Sequence, residues 1–258
     1  MLLAVDAGNT NIVFALFEGE EIVHQWRMVT SEVSKADNVY TSLSKSLAEK
    51  SISVESVTAG IVGSVVPRVN GALNSFFTGL GIKPYFVGAA NTNIGVDINV
   101  ETPSEVGADR LVNVIAAFAL EKGPSIIIDF GTATTFDVVA DNGAYLGGLI
   151  CPGIHLSLKA LHDATAKLPH VPFQEPESKS LIGKTTEEHI QFGIYWGYVS
   201  MIEGLISRYK KEQGPCLVIA TGGLASSLAH NCEAIDIVDK ELTLQGLRLV
   251  YELNKEKN

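Results

Sequence analysis

The strongest constraint on this chain is a repeat. Val5-Asp6-Ala7-Gly8-Asn9-Thr10-Asn11-Ile12-Val13-Phe14 returns as Ile128-Asp129-Phe130-Gly131-Thr132-Ala133-Thr134-Thr135-Phe136-Asp137, a step of 123 residues from Asp6 to Asp129 in a chain of 258. Each copy follows an apolar run, turns at an Asp-x-Gly step and re-enters an apolar run. That is the pattern of a β-hairpin with small, hydroxyl-rich residues at its tip. One such hairpin is ordinary turn chemistry. Two matched copies predict two similarly folded halves facing each other, with a pair of loops able to hold a polyphosphate.

The loop chemistry supports that use. Gly8 and Gly131 allow backbone angles and a close ligand approach that a Cβ would block. Successive backbone N–H groups in such a turn form an anion-binding concavity. Asn9, Thr10, Asn11, Thr132, Thr134 and Thr135 add neutral donors for phosphate oxygens. Asp6 and Asp129 each end a buried strand, where a carboxylate without a partner is costly. A bound cation, or a water shell around one, would offset that cost.

Composition narrows the class. At 46% hydrophobic and 19% charged residues, the chain is that of a packed globular protein. A net charge of −10 argues against nucleic acid or an anionic membrane as partner. Cys151, Cys216 and Cys232 are odd in number and lack CxxC spacing, which fits a reducing, cytoplasmic setting. The opening Met1-Leu2-Leu3-Ala4-Val5-Asp6 lacks the basic start of a signal peptide, and no apolar stretch nears the roughly 20 residues of a membrane span. His155, His162 and His170 fit no zinc spacing and read as structural or surface residues.

Along the chain, strands are expected over 2–6, 11–17, 22–28, 57–64 and 83–88. Helices are expected over 36–50, where Val39, Leu43 and Leu47 form an apolar stripe, over 69–80, and from Ser104 through 119. Lys122-Gly123-Pro124 stops that helix. The halves divide there, into 1–120 and 121–258. The second half opens with a strand over 125–129 and its hairpin. A Gly/Pro-rich loop over 147–153, a helix over 156–166 and an extended loop over 168–183 follow. Thr185-Thr186-Glu187-Glu188 is a capping box opening the longest helix. On that helix Gly193 and Gly197 lie one turn apart, which implies close packing, at a subunit interface or within the chain. A strand over 216–221 leads into Gly222-Gly223. A short strand over 235–238 and a helix over 243–253 end the chain. The fold class is α/β with mixed sheets.

A strand ending at Gly222-Gly223 before a helix lets a flat ring approach the backbone. Two phosphate loops followed by such a turn resemble the nucleotide site of the sugar kinase, actin and heat-shock-chaperone ATPase superfamily. That resemblance implies duplicated actin-like, ribonuclease H-like domains with mixed sheets flanked by helices. There is no GxxxxGK[ST] and no GxGxxG after a strand. Gly107-Ala108-Asp109-Arg110 places a carboxylate and a guanidinium together. A phosphoryl acceptor hydroxyl needs the first, and the second can bind a substrate carboxylate bidentately. The plainer reading is a surface pair in a helical first turn, where Asp suits the dipole.

In this context the chain resembles the type III pantothenate kinases nearly end to end. The resemblance is carried by Asp6 to Asn11, Ser64-Val65-Val66-Pro67, Gly107 to Arg110, Asp129 to Thr135 and Gly147 to Gly153. Thr165 to Pro169, Ile182 to Thr186 and Leu242 to Leu247 complete it. It implies ATP-dependent phosphorylation of pantothenate, opening coenzyme A biosynthesis. Asp6, Ala7, Gly8, Asn9, Thr10, Asn11, Ile12 and Val13 would bind ATP phosphates, with Asp6 near magnesium, and Thr132 would contact ATP. Asp109 would be the general base. Gly107, Ala108, Asp109, Arg110 and Thr186 would bind pantothenate. Asp129 would hold a monovalent cation, potassium or ammonium. A homodimer is implied, with its acceptor site near the subunit interface. Two positions depart from the family pattern: Val100, where many members carry an aromatic, and Thr185, where an Asn is common. Rival readings are a kinase of another small hydroxy acid and a non-catalytic nucleotide-binding regulator.

Overall fold

The computed structural model describes residues 1–177 and 180–255. The chain divides into two compact units. One is Met1–Leu120 together with the segment that starts at Glu241; the other is Glu121–Lys240. The C-terminal helix, expected from sequence in the second half, therefore belongs with the first.

The first unit contains strands β1 (Leu2–Ala7), β2 (Asn11–Glu18), β3 (Glu21–Val29), β4 (Ala59–Ser64) and β5 (Tyr85–Phe86). They form one sheet in the order β3-β2-β1-β4-β5. β1 runs antiparallel to β2 and parallel to β4. Helices α1 (Ala36–Ala48), α2 (Pro67–Gly79), α3 (Ala108–Leu120) and, at the end of the chain, the C-terminal helix (Leu242–Asn254) complete the unit. Because successive strand residues face opposite ways, β1 serves two cores. Leu3, Val5 and Ala7 pack with Val39, Leu43 and Leu47 of α1 and with Leu73 and Phe77 of α2. Leu2 and Ala4 pack with Val112 and Ile115 of α3 and with Leu247 and Val250 of the C-terminal helix. Asp6 shares the alternation of Leu2 and Ala4, so it lies on the α3 face.

The second unit repeats this plan. Its strands are β6 (Ser125–Phe130), β7 (Ala133–Val139), β8 (Tyr145–Pro152), β9 (Leu217–Gly222) and β10 (Ile237–Val238). Their order, β10-β9-β6-β7-β8, read backwards matches the first sheet. β6 is again a central strand between an antiparallel hairpin partner and a parallel one. Helices α4 (Ile154–Asp163), α5 (Thr186–Gln213) and α6 (Ala225–Ala229) pack on one face, where Ile126, Ile128, Phe130 and Phe136 meet Ile154, Tyr195, Ile202 and Leu228. Ile127 and Asp129 point to the other face. The C-terminal helix is then α7.

Three expectations shift. The helix expected from Ser104 starts at Ala108: Pro103–Glu105 makes a single 3-10 turn, and Val106 is extended at φ −73°, ψ 123°. The loop expected over 147–153 is mostly strand, since Gly147 to Pro152 pair with Val138 back to Ala133. The strand expected over 83–88 shrinks to Tyr85–Phe86, paired with Ile61 and Val62.

α7 crosses α3 so closely that a Cβ on Gly246 would overlap the Val112 carbonyl oxygen. A backbone atom cannot rotate away, so a larger residue must separate the helices. Gly246→Ala is expected to destabilise the protein by about 3 kcal/mol, the upper end of overpacking costs, as read by urea unfolding.

Candidate active site

The first loop is held from three sides. Gly8 N–H donates to Asn11 O at 3.0 Å and closes the turn. Thr30, fully buried after β3, donates its hydroxyl to Gly8 O at 2.7 Å and its backbone N–H to Thr10 O at 3.0 Å. Val65 N–H donates to Ala7 O at 3.1 Å from the end of β4. Asn9 and Thr10 are left exposed at the tip, and Asp6 is half-buried between Val13 and Gly63.

Val65 also reaches the Gly107–Arg110 segment. A Cβ on Gly107 would lie 3.3 Å from Val65 Cγ1 and 2.5 Å from Asp109 Oδ1. Glycine at 107 therefore leaves the space the Asp109 carboxylate occupies. Gly107 O accepts the first helical bond, from Leu111 N–H at 3.2 Å, which places Asp109 in the first turn of α3. Asp109 Oδ1 accepts from Arg110 N–H at 2.8 Å. Burial raises the Asp109 carboxyl above the usual carboxylate range, and the Arg110 N–H and guanidinium charge draw it part of the way back. Raised proton affinity is what a general base near neutral pH requires. Within the first unit the structure thus joins the Asp6 loop, Val65 and Gly107–Arg110 into one locality.

In the second unit, Gly131 N–H donates to Ala133 O at 3.0 Å, and Gly131 and Thr132 are exposed. Asp129 lies beside Thr135 of β7 and Thr221 of β9. Gly222 sits at φ +89°, a conformation side chains other than glycine rarely adopt, and its Cβ would fall 2.5 Å from Asp129 Oδ1. The Gly222-Gly223 turn therefore forms against the second loop. A Cβ on Gly153, just before α4, would overlap Thr132 O, so that glycine lets α4 abut the loop. Thr186 stands elsewhere, exposed as the first residue of α5. Thr185 caps that helix: its hydroxyl accepts from Glu188 N–H and its N–H donates to Glu188 Oε2, both at 3.1 Å.

The chain matches the type III pantothenate kinase family over residues 2–208. The chain belongs to that family. A type III pantothenate kinase from Zymomonas mobilis is 47% identical, with 98% of this chain and 92% of the relative covered. One from Caulobacter vibrioides is 44% identical over 98% of both chains. Among solved structures, an inorganic polyphosphate/ATP-glucomannokinase from Arthrobacter sp. strain KM superposes with TM-score 0.51 at 15% identity, covering 98% of each chain. That likeness bears on the fold, which is the sugar kinase and actin-like one.

Pantothenate kinases use ATP with magnesium, and the residues present fit that group. Asp6 and the hydroxyl of Thr10 supply oxygen donors of the kind a hard cation takes, and both loop tips are open to an anion. Thr30, which ties down the first loop, lay outside the motif reading, whereas Gly153, which backs the second, closes the Gly147–Gly153 stretch read from the sequence. Asp137 is fully buried on β7 and accepts from Thr135 Oγ1 at 3.2 Å. Thr30 follows a strand with no distinctive spacing, so no local signal marks it.

Ionising Asp109 opposes folding, because its folded-state proton affinity is raised. Its contribution favours the fold below the unfolded pKa and is lost as pH rises through the folded one. Asp109→Asn is expected to melt at or above wild type at pH 7–8, with the difference shrinking toward pH 4, as followed by thermal denaturation.

Proposed function

We propose a division of labour for this chain, which as a type III pantothenate kinase transfers the γ-phosphoryl group of ATP to the primary hydroxyl of pantothenate. Asp109 orients that hydroxyl and accepts its proton as the oxygen attacks phosphorus and the bond to the departing ADP breaks. Gly107 to Arg110 line the acceptor site, with the Arg110 guanidinium binding the substrate carboxylate. Asp6 to Val13 bind the ATP phosphates and Thr132 contacts ATP. Magnesium, when bound near Asp6, neutralises phosphate charge. Asp129 holds a monovalent cation, potassium or ammonium, and Thr186 contacts pantothenate. The observation that carries this reading is Val65, which touches both the first loop and Gly107.

The test is pantothenate-dependent ADP release in potassium and in sodium buffer. Wild type is expected to turn over in potassium and to lose most activity in sodium. Asp109→Asn is expected to bind ATP as before and to lose about 10²–10⁴-fold in kcat. Full turnover of that variant removes Asp109 from the base role, and equal rates in both buffers remove the cation from Asp129.

The chain also forms a homodimer in this proposal. A Cβ added at Gly193 or Gly197 would meet nothing within 4 Å among the described residues, and that open space supports an interface role for them. With Leu181, Phe192 and Trp196 they line a groove of about 410 Å³. Leu181, which lines that groove, and its neighbour Ile182 are 73% and 69% exposed, apolar side chains of the kind a partner covers. No helix among the described residues is long and apolar enough to cross a membrane. The free cysteines fit a cytoplasmic location, and the net charge of −10 fits a protein without nucleic-acid partners. Sedimentation of wild type is expected to give a dimer, and Gly197→Arg a monomer; a monomeric wild type overturns the assembly.

A further inference from the structure

The acceptor segment is reached through a long connection. Between β5 and the 3-10 turn at Pro103 the chain runs through turns and irregular backbone, apart from a single bridge residue at Ile98, and then enters Gly107. Connections of this length without secondary structure are uncommon in compact domains, and are usually either functional loops or linkers. Such a segment needs anchors if it is to deliver Gly107 and Asp109 to one place.

Its anchor is the last residue of α7. Asn254 is 1% exposed. Its Oδ1 accepts from the backbone N–H of Asn93 at 2.8 Å, and its Nδ2 donates to the carbonyl of the same Asn93 at 2.7 Å. The second Nδ2 hydrogen goes to Val250 O at 2.7 Å. One side-chain amide thus supplies both hydrogen bonds that a neighbouring strand would give to Asn93. Further contacts surround the pair. Tyr85 Oη donates to Asn254 O at 2.9 Å. Gly95, at φ +73°, passes so close to Leu253 that a Cβ would lie 2.7 Å from Leu253 Cδ1. Ile94 and Val96 pack on the core that holds Ala108, Val112, Leu247 and Val250.

α7 grips α3 as well. Thr243 Oγ1 donates to Asn113 Oδ1 at 2.8 Å, and Asn113 is 1% exposed. One helix therefore fixes both the segment that leads into Gly107 and the helix that carries Asp109. We propose that Asn254 is a positioning residue for the acceptor site, acting through the 88–106 connection and so resting on the placement of that site at Gly107–Arg110. It sets pantothenate affinity and leaves the nucleotide loops alone.

Asn254→Asp is nearly the same size, but it exchanges the Nδ2 donor for an oxygen facing two carbonyls. The expected result is a rise of tenfold or more in KM for pantothenate, with kcat and KM for ATP within twofold of wild type. Faster hydrogen exchange over 88–106 should accompany it. Gly95→Ala disturbs the same anchor from the loop side and keeps Asn254, so it decides the question if Asn254→Asp fails to fold. Pantothenate KM within twofold of wild type, or equal losses in both substrates and in kcat, overturns the proposal. Asp109→Asn is assayed alongside: full turnover there defeats the placement of the acceptor site, and a dead Asp109→Asn with an unaffected Asn254→Asp defeats the anchor alone.

Discussion

The arrangement depends on one backbone constraint, met twice: a central strand carries aspartate as its last residue but one, between an antiparallel hairpin partner and a parallel neighbour. In the first unit Asp6 lies opposite Val13 on one side and Gly63 on the other. In the second, Asp129 lies opposite Thr135 and Thr221. The hairpin fixes where the loop turns, and the parallel strand fixes what lies beside its base. Beside Asp6 that neighbour leads into Val65, which pins Ala7 and meets Gly107. Beside Asp129 it leads into Gly222, whose missing Cβ admits the carboxylate. The same ladder register gives one unit its link to the Gly107–Arg110 segment and the other its Gly-Gly turn.

Glycine acts in these places through close approach. At Gly107 the absent Cβ leaves room for a carboxylate, and at Gly246 it allows two helices to touch. Both put backbone where a side chain would otherwise hold elements apart. The outcome is a largely desolvated carboxylate at the start of α3, with the neighbouring Arg110 and its own backbone N–H offsetting part of its burial. Such a group costs stability and gains proton affinity, a balance found where carboxylates do chemistry.

Much of this was legible in the chain itself. The hairpins at Asp6 and Asp129, the stripe of Val39, Leu43 and Leu47, and the cap at Thr185 each depend on neighbours within a few residues. Their periodicity or turn chemistry is therefore written locally. The boundaries that moved did so for non-local reasons. Gly147 to Pro152 look like a loop in composition and become a strand because β7 offers them an edge to pair with. Ser104 looks like a helix start, but Pro103–Glu105 closes only a 3-10 turn and Val106 is extended before the first α-helical bond forms at Gly107.

By itself the sequence determined the duplication, the two loops, the family and the identity of the carboxylates, because each rests on residues contiguous in the chain. Tertiary structure decided which distant residues support them. α7 joins the first unit, 120 residues after that unit's main segment ends, because its apolar face matches α3 and not its sequence neighbours. Thr30 under the first loop and Asn254 against Asn93 carry no local signature. Their partners are bare backbone groups, and a backbone N–H or C=O is the same at every position until the fold places one beside them.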